Sequence, residues 1–411
     1  MMDEVTRAVA ALYDAYPFPP DPVIDEPPPG YNWRWSWQAA YAFCTNGQIP
    51  PTNQVRILDA GCGSGVSTEY LAHQNPEAEI VAIDISAGTL AVAQERIART
   101  IGKTDRVQFH QCSIYDLATI PGEFDLINCV GVLHHLADPD RGLKELAQKL
   151  KPGGLLHLFL YAEIGRWEIS LMQEAIQILL PNKGDIATGV KLGRAIFAAL
   201  PENNRLVQRE KTRWFLENTK DECFADMYLH PHEIRFNIYS LFEFIDRSGL
   251  QFAGFSNPKV WQLERLLGRN SELLAQAKAL PQRTQYRLLE LLDTDIAHYE
   301  FFLYNPPLPK FDLDRDEVLL AAKPLRHPCI SGWSGDVAQE PLNTASLPSN
   351  ISLFNPDYEV ITLTEAEFLF MQQANQQLTT QAILAQYPNL SLETARSLFH
   401  KRLILFDPSN P

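Results

Sequence analysis

The sequence predicts an α/β fold with a doubly wound, largely parallel sheet. Between Arg56 and Tyr161, short apolar segments alternate with longer segments of helical periodicity, as expected when each strand is followed by a helix that crosses the sheet. The first apolar segment runs directly into a glycine-rich turn at residues 61–65. With 411 residues, 45% of them hydrophobic, the chain is long enough to form more than one domain.

Five strand-like segments carry the sheet prediction, and they are, in chain order, RILDA, EIVAIDI, RVQFHQC, FDLINCV and LLHLFLY. Capping residues mark helices between them. Ser86 is placed to cap the helix after the second strand, and Asp138 with Pro139 begins the helix before the fifth strand.

The alternation stops after Tyr161. Residues 165–235 read as helices without a strand, and residues 238–255 read as a helix closed by Gly249 and then a strand. A second helical stretch at 257–297 precedes a strand from His298 to Tyr304. We therefore expect one sheet domain at 51–305, with helical cap insertions at 165–235 and 257–297.

Both ends of the chain differ from this domain. Residues 17–29 contain seven prolines, which favour an extended arm, so residues 1–50 are predicted to form a proline-rich lid. Prolines also open an irregular linker at 306–350. Residues 351–411 carry three helix-like segments, at 365–374, 379–386 and 392–400, and then the strand-like LILF, which predicts a small winged-helix-like module. Its six acidic and three basic residues argue against DNA binding.

The net charge and the cysteine content disfavour several classes of protein. The net charge of -15 disfavours nucleic acid as a partner, and the lack of a long apolar run disfavours a membrane. The N-terminal segment has acidic residues where a signal peptide would need basic ones, which predicts a cytoplasmic protein. The six cysteines include no CxxC pair, so neither disulfides nor a zinc site is expected.

The spacing of the glycine turn favours a particular ligand. A dinucleotide fold uses G-x-G-x-x-G, whereas this turn is G-x-G-x-G and places Val66 where the third glycine would be. Asp59, two residues before the turn, would repel a pyrophosphate and suits a cationic amino group. Asp84, at the end of the second strand, is placed to accept ribose hydroxyls. A nicotinamide-dependent dehydrogenase is therefore disfavoured.

Four ordered motifs, ILDAGCGSG, VAIDIS, FDLINCVGVLHHLADP and LKPGGLL, are similar to the motif series of class I S-adenosylmethionine-dependent methyltransferases. The segments VTRAVAALYDAYPFPP, LHLFLYAEIGR and FADMYLHPHEIRFNIYSLFEFIDRSGLQFAGF resemble, more narrowly, a bacterial group often joined to tetratricopeptide repeats. No such repeats are found in this sequence.

The resemblance implies a Rossmann-like methyltransferase sheet that binds S-adenosyl-L-methionine. Asp59 would face the amino-acid part of the cofactor, Asp84 its ribose and Ile85 its adenine. Ser113 stands where this fold often has an acidic residue near the adenine. The full set of implied cofactor residues is Asp59, Gly61, Cys62, Gly63, Gly65, Asp84, Ile85, Ser113, Ile114, Cys129 and Val130.

Candidate catalytic residues are His134 and His135, which follow the fourth strand at the edge where such sheets bind ligands. Capping of that edge is an equally simple role for them. The candidate substrate-contacting residues are Tyr13, Tyr16, Tyr161 and His230, and for Tyr13 and Tyr16 hydrophobic packing is the alternative. His230, His232 and Glu233 form a weak metal signature, and no metal is expected.

The favoured function is methyl transfer to an oxygen or nitrogen nucleophile of a small molecule. A base is needed where that nucleophile has a proton to lose. The alternative is a regulatory or scaffold protein that binds S-adenosylmethionine without turnover and uses the C-terminal module to bind a protein partner.

Overall fold

The computed structural model describes residues 3–408 except 103, 183, 270, 332 and 334–350. Those residues divide into two compact units. The first, here called the sheet unit, consists of Met1–Pro27, Arg56–Ala72 and Glu79–Pro306. The second unit consists of Pro28–Val55, His73–Ala78 and Pro307–Pro411.

A seven-stranded sheet forms the centre of the sheet unit. Its strands are β1 Arg56–Ala60, β2 Glu79–Asp84, β3 Val107–Gln111, β4 Phe124–Val130, β5 Leu150–Tyr161, β6 Gln251–Phe255 and β7 His298–Tyr304. Their spatial order is β3-β2-β1-β4-β5-β7-β6, and β7 alone runs in the direction opposite to the other six strands. The predicted doubly wound sheet is confirmed. Because the strand order reverses beside β1, the carboxyl ends of β1 and β4 flank the crevice where such sheets bind ligands.

Burial explains why these segments form strands. Leu58, Ile127 and Leu156 are neighbours by register across β1, β4 and β5, and all three are fully buried. Strands buried on both faces are normally apolar throughout. The next row by register breaks this rule, since Asp59, Asn128 and His157 are polar and equally buried.

Two helices of the sheet unit begin where the sequence predicts. Ser86 Oγ accepts a hydrogen bond from the backbone N of Thr89, and Asp138 Oδ1 accepts one from that of Arg141, so both predicted N-caps are confirmed. The helices are α1 Glu4–Ala15, α3 Val66–Gln74, α4 Ala87–Thr100, α5 Pro139–Gln148, α6 Trp167–Leu179, α7 Ile186–Ala199, α8 Arg205–Arg209, α9 Asp221–Leu229, α10 Ile238–Asp246, α11 Glu264–Leu267, α12 Glu272–Lys278 and α13 Gln282–Leu292, with the α2 segment lying in the second unit.

The helices α6–α9 form an apolar cluster of their own, into which Leu12 of α1 also packs. Ile169, Met172 and Ile176 supply one buried face, as the sequence predicts. Leu179 was expected on the same face, but its side chain is 58% exposed, because it is the last residue of α6 and lies beyond the cluster.

The second unit contains helices and two small antiparallel sheets, formed by β9 with β10 and by β8 with β11. Trp33 is buried there, and its indole Nε1 donates to Asp357. Residues 306–350 were expected to be irregular, but 316–326 contain a helix and a strand, because β8 pairs with β11. The elements are α2 Trp37–Cys44, α14 Asp316–Ala321, α15 Glu365–Gln373, α16 Thr380–Gln386, α17 Leu392–His400, β8 Lys323–Arg326, β9 Ile351–Phe354, β10 Val360–Leu363 and β11 Ile404–Asp407.

The three helix-like segments and the final strand predicted near the C-terminus correspond to α15, α16, α17 and β11. Residues 334–350 of the predicted linker lie outside the described residues. The predicted division into lid, methyltransferase domain, linker and module stays a prediction. Among the described helices, none combines the length and the apolar character needed to cross a membrane.

Candidate functional site

The turn after β1 depends on glycine at three positions. Gly61, Gly63 and Gly65 have φ angles of 79°, 53° and 84°, which lie in the left-handed region. A Cβ at Gly63 would lie 2.4 Å from the carbonyl oxygen of Phe18, and one at Gly65 would lie 2.8 Å from Cα of Ala93. Both positions therefore require glycine for its conformation and for its small volume.

Asp84 ends β2 and helps to shape this turn. Its Oδ2 accepts a hydrogen bond of 3.0 Å from the backbone N of Gly63, and its Oδ1 accepts one of 2.9 Å from that of Ser86. Burial raises the pKa of the Asp84 carboxyl, while these backbone donors lower it. Each carboxylate oxygen has two lone pairs, so both oxygens retain the capacity to accept a further hydrogen bond.

Asp59 is more deeply buried, with 1% of its surface exposed. Its Oδ2 accepts hydrogen bonds from Ser67 Oγ at 2.7 Å and Thr68 Oγ1 at 2.6 Å, and its Oδ1 accepts one from Asn128 Nδ2 at 2.8 Å. Burial raises the pKa of the Asp59 carboxyl, and the three hydrogen bonds lower it. The carboxylate thus joins β1 to the first turn of α3 and to β4.

The other predicted cofactor residues differ in burial. Three of them are buried, namely Cys62, Ile114 and Cys129. Three are partly exposed near the carboxyl edge of the sheet, namely Ile85, Ser113 and Val130. Beside Val130, Gly131 has a φ of 78°, and a Cβ there would meet no atom within 4 Å. The backbone after β4 therefore borders open space at the same edge.

The N-terminal arm, residues 16–27, lies against the glycine turn. The backbone N of Ser64 donates to the carbonyl of Phe18 at 2.9 Å, and Ser64 Oγ donates to that of Pro19 at 2.6 Å. Arg96 of α4 is buried, and its Nη2 donates to the carbonyl of Asp21 at 2.8 Å. These contacts fix the backbone of the arm on the turn.

Four rings meet where β4 and β5 end, and we call them the histidine cluster: His134, His135, Tyr161 and His230. The His134 ring stacks on Tyr161 with centroids 3.8 Å apart, and the His135 ring stacks on His230 at 3.6 Å. His134 and His135 meet edge to face at 4.2 Å. The structure therefore brings both candidate catalytic histidines together with two candidate substrate-contacting residues.

The imidazoles of the cluster are neutral near pH 7. Burial lowers the pKa of His135 to about 4 and lowers the pKa values of His134 and His230 well below their ordinary value. The Nδ1 of His135 lies 2.9 Å from the carbonyl oxygen of His232, which can only accept, so Nδ1 carries the proton and Nε2 keeps a lone pair.

His230 has the opposite tautomer. Its Nδ1 accepts a hydrogen bond of 3.2 Å from the backbone N of His232, so its Nε2 carries the proton. That Nε2 and both ring nitrogens of His134 are buried without a hydrogen-bond partner among the described residues. The cluster thus offers one basic nitrogen and one N–H donor side by side.

Three further polar residues border the cluster, namely Arg166, Asp226 and Glu233. Sequence analysis did not identify Arg166 or Asp226 as candidate site residues. Arg166 pairs with Glu233 through Nη2 and Oε2 at 2.9 Å, and its guanidinium lies 3.4 Å from the centre of the Tyr161 ring. Burial raises the pKa of the Asp226 carboxyl to about 6. The partners in the Arg166–Glu233 pair are 67 residues apart, so no local sequence pattern could have revealed it.

Of the three tyrosines predicted to contact substrate, Tyr13 and Tyr16 separate in the structure. Tyr13 lies 5.8 Å from His230 between ring centroids, and its hydroxyl donates to Asp226 at 2.8 Å. Thr89 Oγ1 of α4 donates to the carbonyl of Tyr13 at 3.1 Å, so this residue lies between the start of α4 and the cluster. Tyr16 instead packs against the apolar cluster of α6–α9. Within the described ranges, no three His, Cys, Asp or Glu side chains are grouped so that they could hold a metal ion.

Known sequences match this chain both over one domain and over its whole length. A family profile described as "Methyltransferase domain" matches residues 58–156. An uncharacterized protein from Synechococcus sp. is 55% identical over 413 residues, covering 100% of this chain and 95% of that protein. The ubiquinone biosynthesis O-methyltransferase of Dechloromonas aromatica is 34% identical over 146 residues, which cover 33% of this chain and 58% of that enzyme.

Solved structures share the fold. PKMT2 from Rickettsia typhi in complex with AdoHcy superposes with a TM-score of 0.60 at 17% identity, covering 93% of this chain and 78% of that one. The strand order, the glycine turn and the matched domain agree with the motif series read from the sequence. The chain therefore contains a methyltransferase domain, and its sheet has the fold of the class I S-adenosylmethionine-dependent methyltransferases.

Proposed function

We propose that this protein transfers a methyl group to an oxygen or nitrogen nucleophile of a small molecule. The observation that carries the proposal is the histidine cluster, where neutral His135 and His230 present a basic nitrogen and an N–H donor side by side. The cluster follows β4 and β5, next to the strand that leads into the glycine turn.

The residues at the turn fit S-adenosylmethionine. Gly131 borders open space that a side chain would fill, and Asp84 has lone pairs left for ribose hydroxyls. The two carboxylates, Asp59 and Asp84, suit a ligand that carries a positive charge. When bound, the cofactor supplies an electrophilic methyl group to a nucleophile placed in line with it.

The cluster supplies the remaining chemistry. We propose that Nε2 of His135 accepts the proton of the nucleophile, and that Nε2–H of His230 orients the acceptor. Because the pKa of His135 is lowered to about 4, the base is unprotonated at every pH above about 5. The buried Arg166–Glu233 pair holds Tyr161 and the adjoining wall in place.

Oxygen is the favoured nucleophile. A relative that matches a third of the chain is named as an O-methyltransferase, and a hydroxyl group has a proton that a neutral imidazole can remove. We further propose that α1 and the arm act as a lid, since Tyr13 contacts both Asp226 and His230 and the arm is bound on the turn. A lid at this place would exclude water from the transfer.

The test begins with binding. Calorimetric titration of the purified protein should give binding of S-adenosylmethionine and none of a nicotinamide dinucleotide. Formation of S-adenosylhomocysteine is then measured with three probes, 3,4-dihydroxybenzoate, benzylamine and a low-molecular-mass cell extract. His135→Gln should bind the cofactor normally but lower the rate by about 100-fold or more, as expected for loss of a general base.

His110→Gln is the matched control, because His110 is an exposed histidine on β3 of the same unit. It should leave both binding and rate unchanged. Cofactor binding without product from any small-molecule probe would favour the regulatory or scaffold alternative, in which the second unit binds a protein partner. The link to tetratricopeptide-repeat proteins stays a prediction.

A further inference from the structure

A row of polar side chains crosses the middle of the sheet. Asp59 on β1 is the register neighbour of Asn128 on β4, which is the register neighbour of His157 on β5. Asn128 Nδ2 donates to Asp59 Oδ1 at 2.8 Å, and Asn128 Oδ1 lies 2.8 Å from His157 Nδ1. None of the three is more than 1% exposed. In a sheet core that is otherwise apolar, such a row needs an explanation.

The direction of the hydrogen bonds in this row is fixed from one end. An ionised carboxylate only accepts, so Asn128 must present its amide nitrogen to Asp59 and its oxygen to His157. The ring of His157 must therefore donate through Nδ1. Buried side-chain networks of this kind fix the orientation of every member when all bonds are made.

The far end of the row holds His157 in place. Its Nε2 lies 3.3 Å from Oε1 of Glu300 on β7, and its ring stacks on Phe302 with centroids 4.8 Å apart. Glu300 Oε2 in turn accepts a hydrogen bond of 2.6 Å from Ser256 Oγ. The imidazole thus makes its hydrogen bond through Nδ1 to the amide of Asn128, while Nε2 lies beside the Glu300 carboxylate without a hydrogen-bond partner among the described residues.

We propose that Asn128 and His157 are positioning residues for the cofactor, because they orient the Asp59 carboxylate toward its amino-acid part. This inference rests on the proposed function, in which Asp59 faces that part of S-adenosylmethionine. Through the row, His157 on β5, two strands away from Asp59 on β1, sets the recognition of the cofactor's amino-acid group while leaving its nucleoside recognition to other residues.

Two ligands separate this role from a merely structural one. S-adenosylhomocysteine carries the amino-acid part, whereas 5′-methylthioadenosine lacks it. In calorimetric titrations, His157→Leu should lower the affinity for S-adenosylhomocysteine about tenfold and change the affinity for 5′-methylthioadenosine by less than about twofold, since one hydrogen bond that supports a charged group is lost. The control Phe302→Leu, which alters only packing beside His157, should not change the ratio of the two affinities.

Two conservative variants keep the test decisive if His157→Leu does not fold. His157→Asn places an amide where Nδ1 stood and should retain the preference for S-adenosylhomocysteine. His157→Gln reaches toward Glu300 instead and should lose it. An equal loss for both ligands, or the same ratio in the Asn and Gln variants, would overturn the inference. If the wild type bound neither ligand, the proposed function itself would be wrong.

A spectroscopic readout needs no ligand. In protein labelled with ¹⁵N-histidine, the signal that disappears in His157→Asn belongs to His157. Its Nδ1 should have the chemical shift of a protonated nitrogen, as the direction of the row requires. An unprotonated Nδ1 would contradict the inference even if both ligands bind.

Discussion

Replacing Gly63 with alanine tests whether the arm is held on the glycine turn. The added Cβ would lie 2.4 Å from the carbonyl oxygen of Phe18, a distance at which one of the two backbones must move. Because that carbonyl accepts from Ser64 N at 2.9 Å and the next one accepts from Ser64 Oγ at 2.6 Å, the arm would lose both bonds.

The size of the effect has two parts. Forcing a residue with a Cβ to keep a φ of 53° costs about 1–2 kcal/mol. Losing two hydrogen bonds costs about 2 kcal/mol more, at about 1 kcal/mol each. The second part alone corresponds to about a thirtyfold increase in local opening, since about 1.4 kcal/mol is a factor of ten.

Hydrogen exchange of the Ser64 amide and of the arm residues measures that opening directly. The matched control is Gly249→Ala, because Gly249 has a φ of 80° but open space where its Cβ would stand. Gly63→Ala should accelerate exchange at Ser64 and in residues 17–22, and Gly249→Ala should leave both unchanged. Equal exchange in the two variants would refute the idea that the arm is bound to the turn.

Two further predictions concern single carboxylates. Asp84→Ala should weaken binding of S-adenosylmethionine about tenfold or more in calorimetry, because a charge-assisted hydrogen bond contributes about 1.5–3 kcal/mol. The control Asp116→Ala, at an exposed position, should leave that affinity unchanged. Unchanged affinity in a folded Asp84 variant would contradict the ribose role. Burial raises the pKa of Asp226 from 3.8 to about 6, so its contribution to stability is fully present below about pH 4 and is lost as the pH rises through about 6. The free energy of unfolding of Asp226→Asn minus that of the wild type should therefore be larger at pH 7 than at pH 4.5 by about 2 kcal/mol in urea titrations, because only the wild type is destabilised by ionisation, and a difference of the opposite sign would exclude the raised pKa.

The sheet could be predicted from the sequence because its signals are local. Each strand is a short apolar run, and Ser86 and Asp138 are placed next to the helices that they cap. Gly61, Gly63 and Gly65 mark the turn because no other residue adopts its backbone without strain. These constraints act over a few residues, so they can be read without knowledge of the fold.

The walls of the site could not be predicted in the same way. Tyr13 meets Asp226, and Arg166 meets Glu233, only after distant segments have folded together. The role of Asn128 could not be predicted for another reason. A single polar residue inside an apolar strand segment does not by itself indicate a site. Only the register across β1 and β4 identifies its partner.

The segment after α9, residues 230–236, reaches back to the loop after β4. The backbone N of Ile234 donates to the carbonyl of His134 at 2.8 Å, and the carbonyl of His232 receives His135 Nδ1. The glycine turn, by contrast, takes its partners from β2, α4 and the arm. Sequence change within one continuous stretch, from Glu163 to Phe236, therefore acts directly on the histidine surroundings, and it reaches the glycine turn only through α1 and the arm, which Leu12 and Tyr13 join to that stretch.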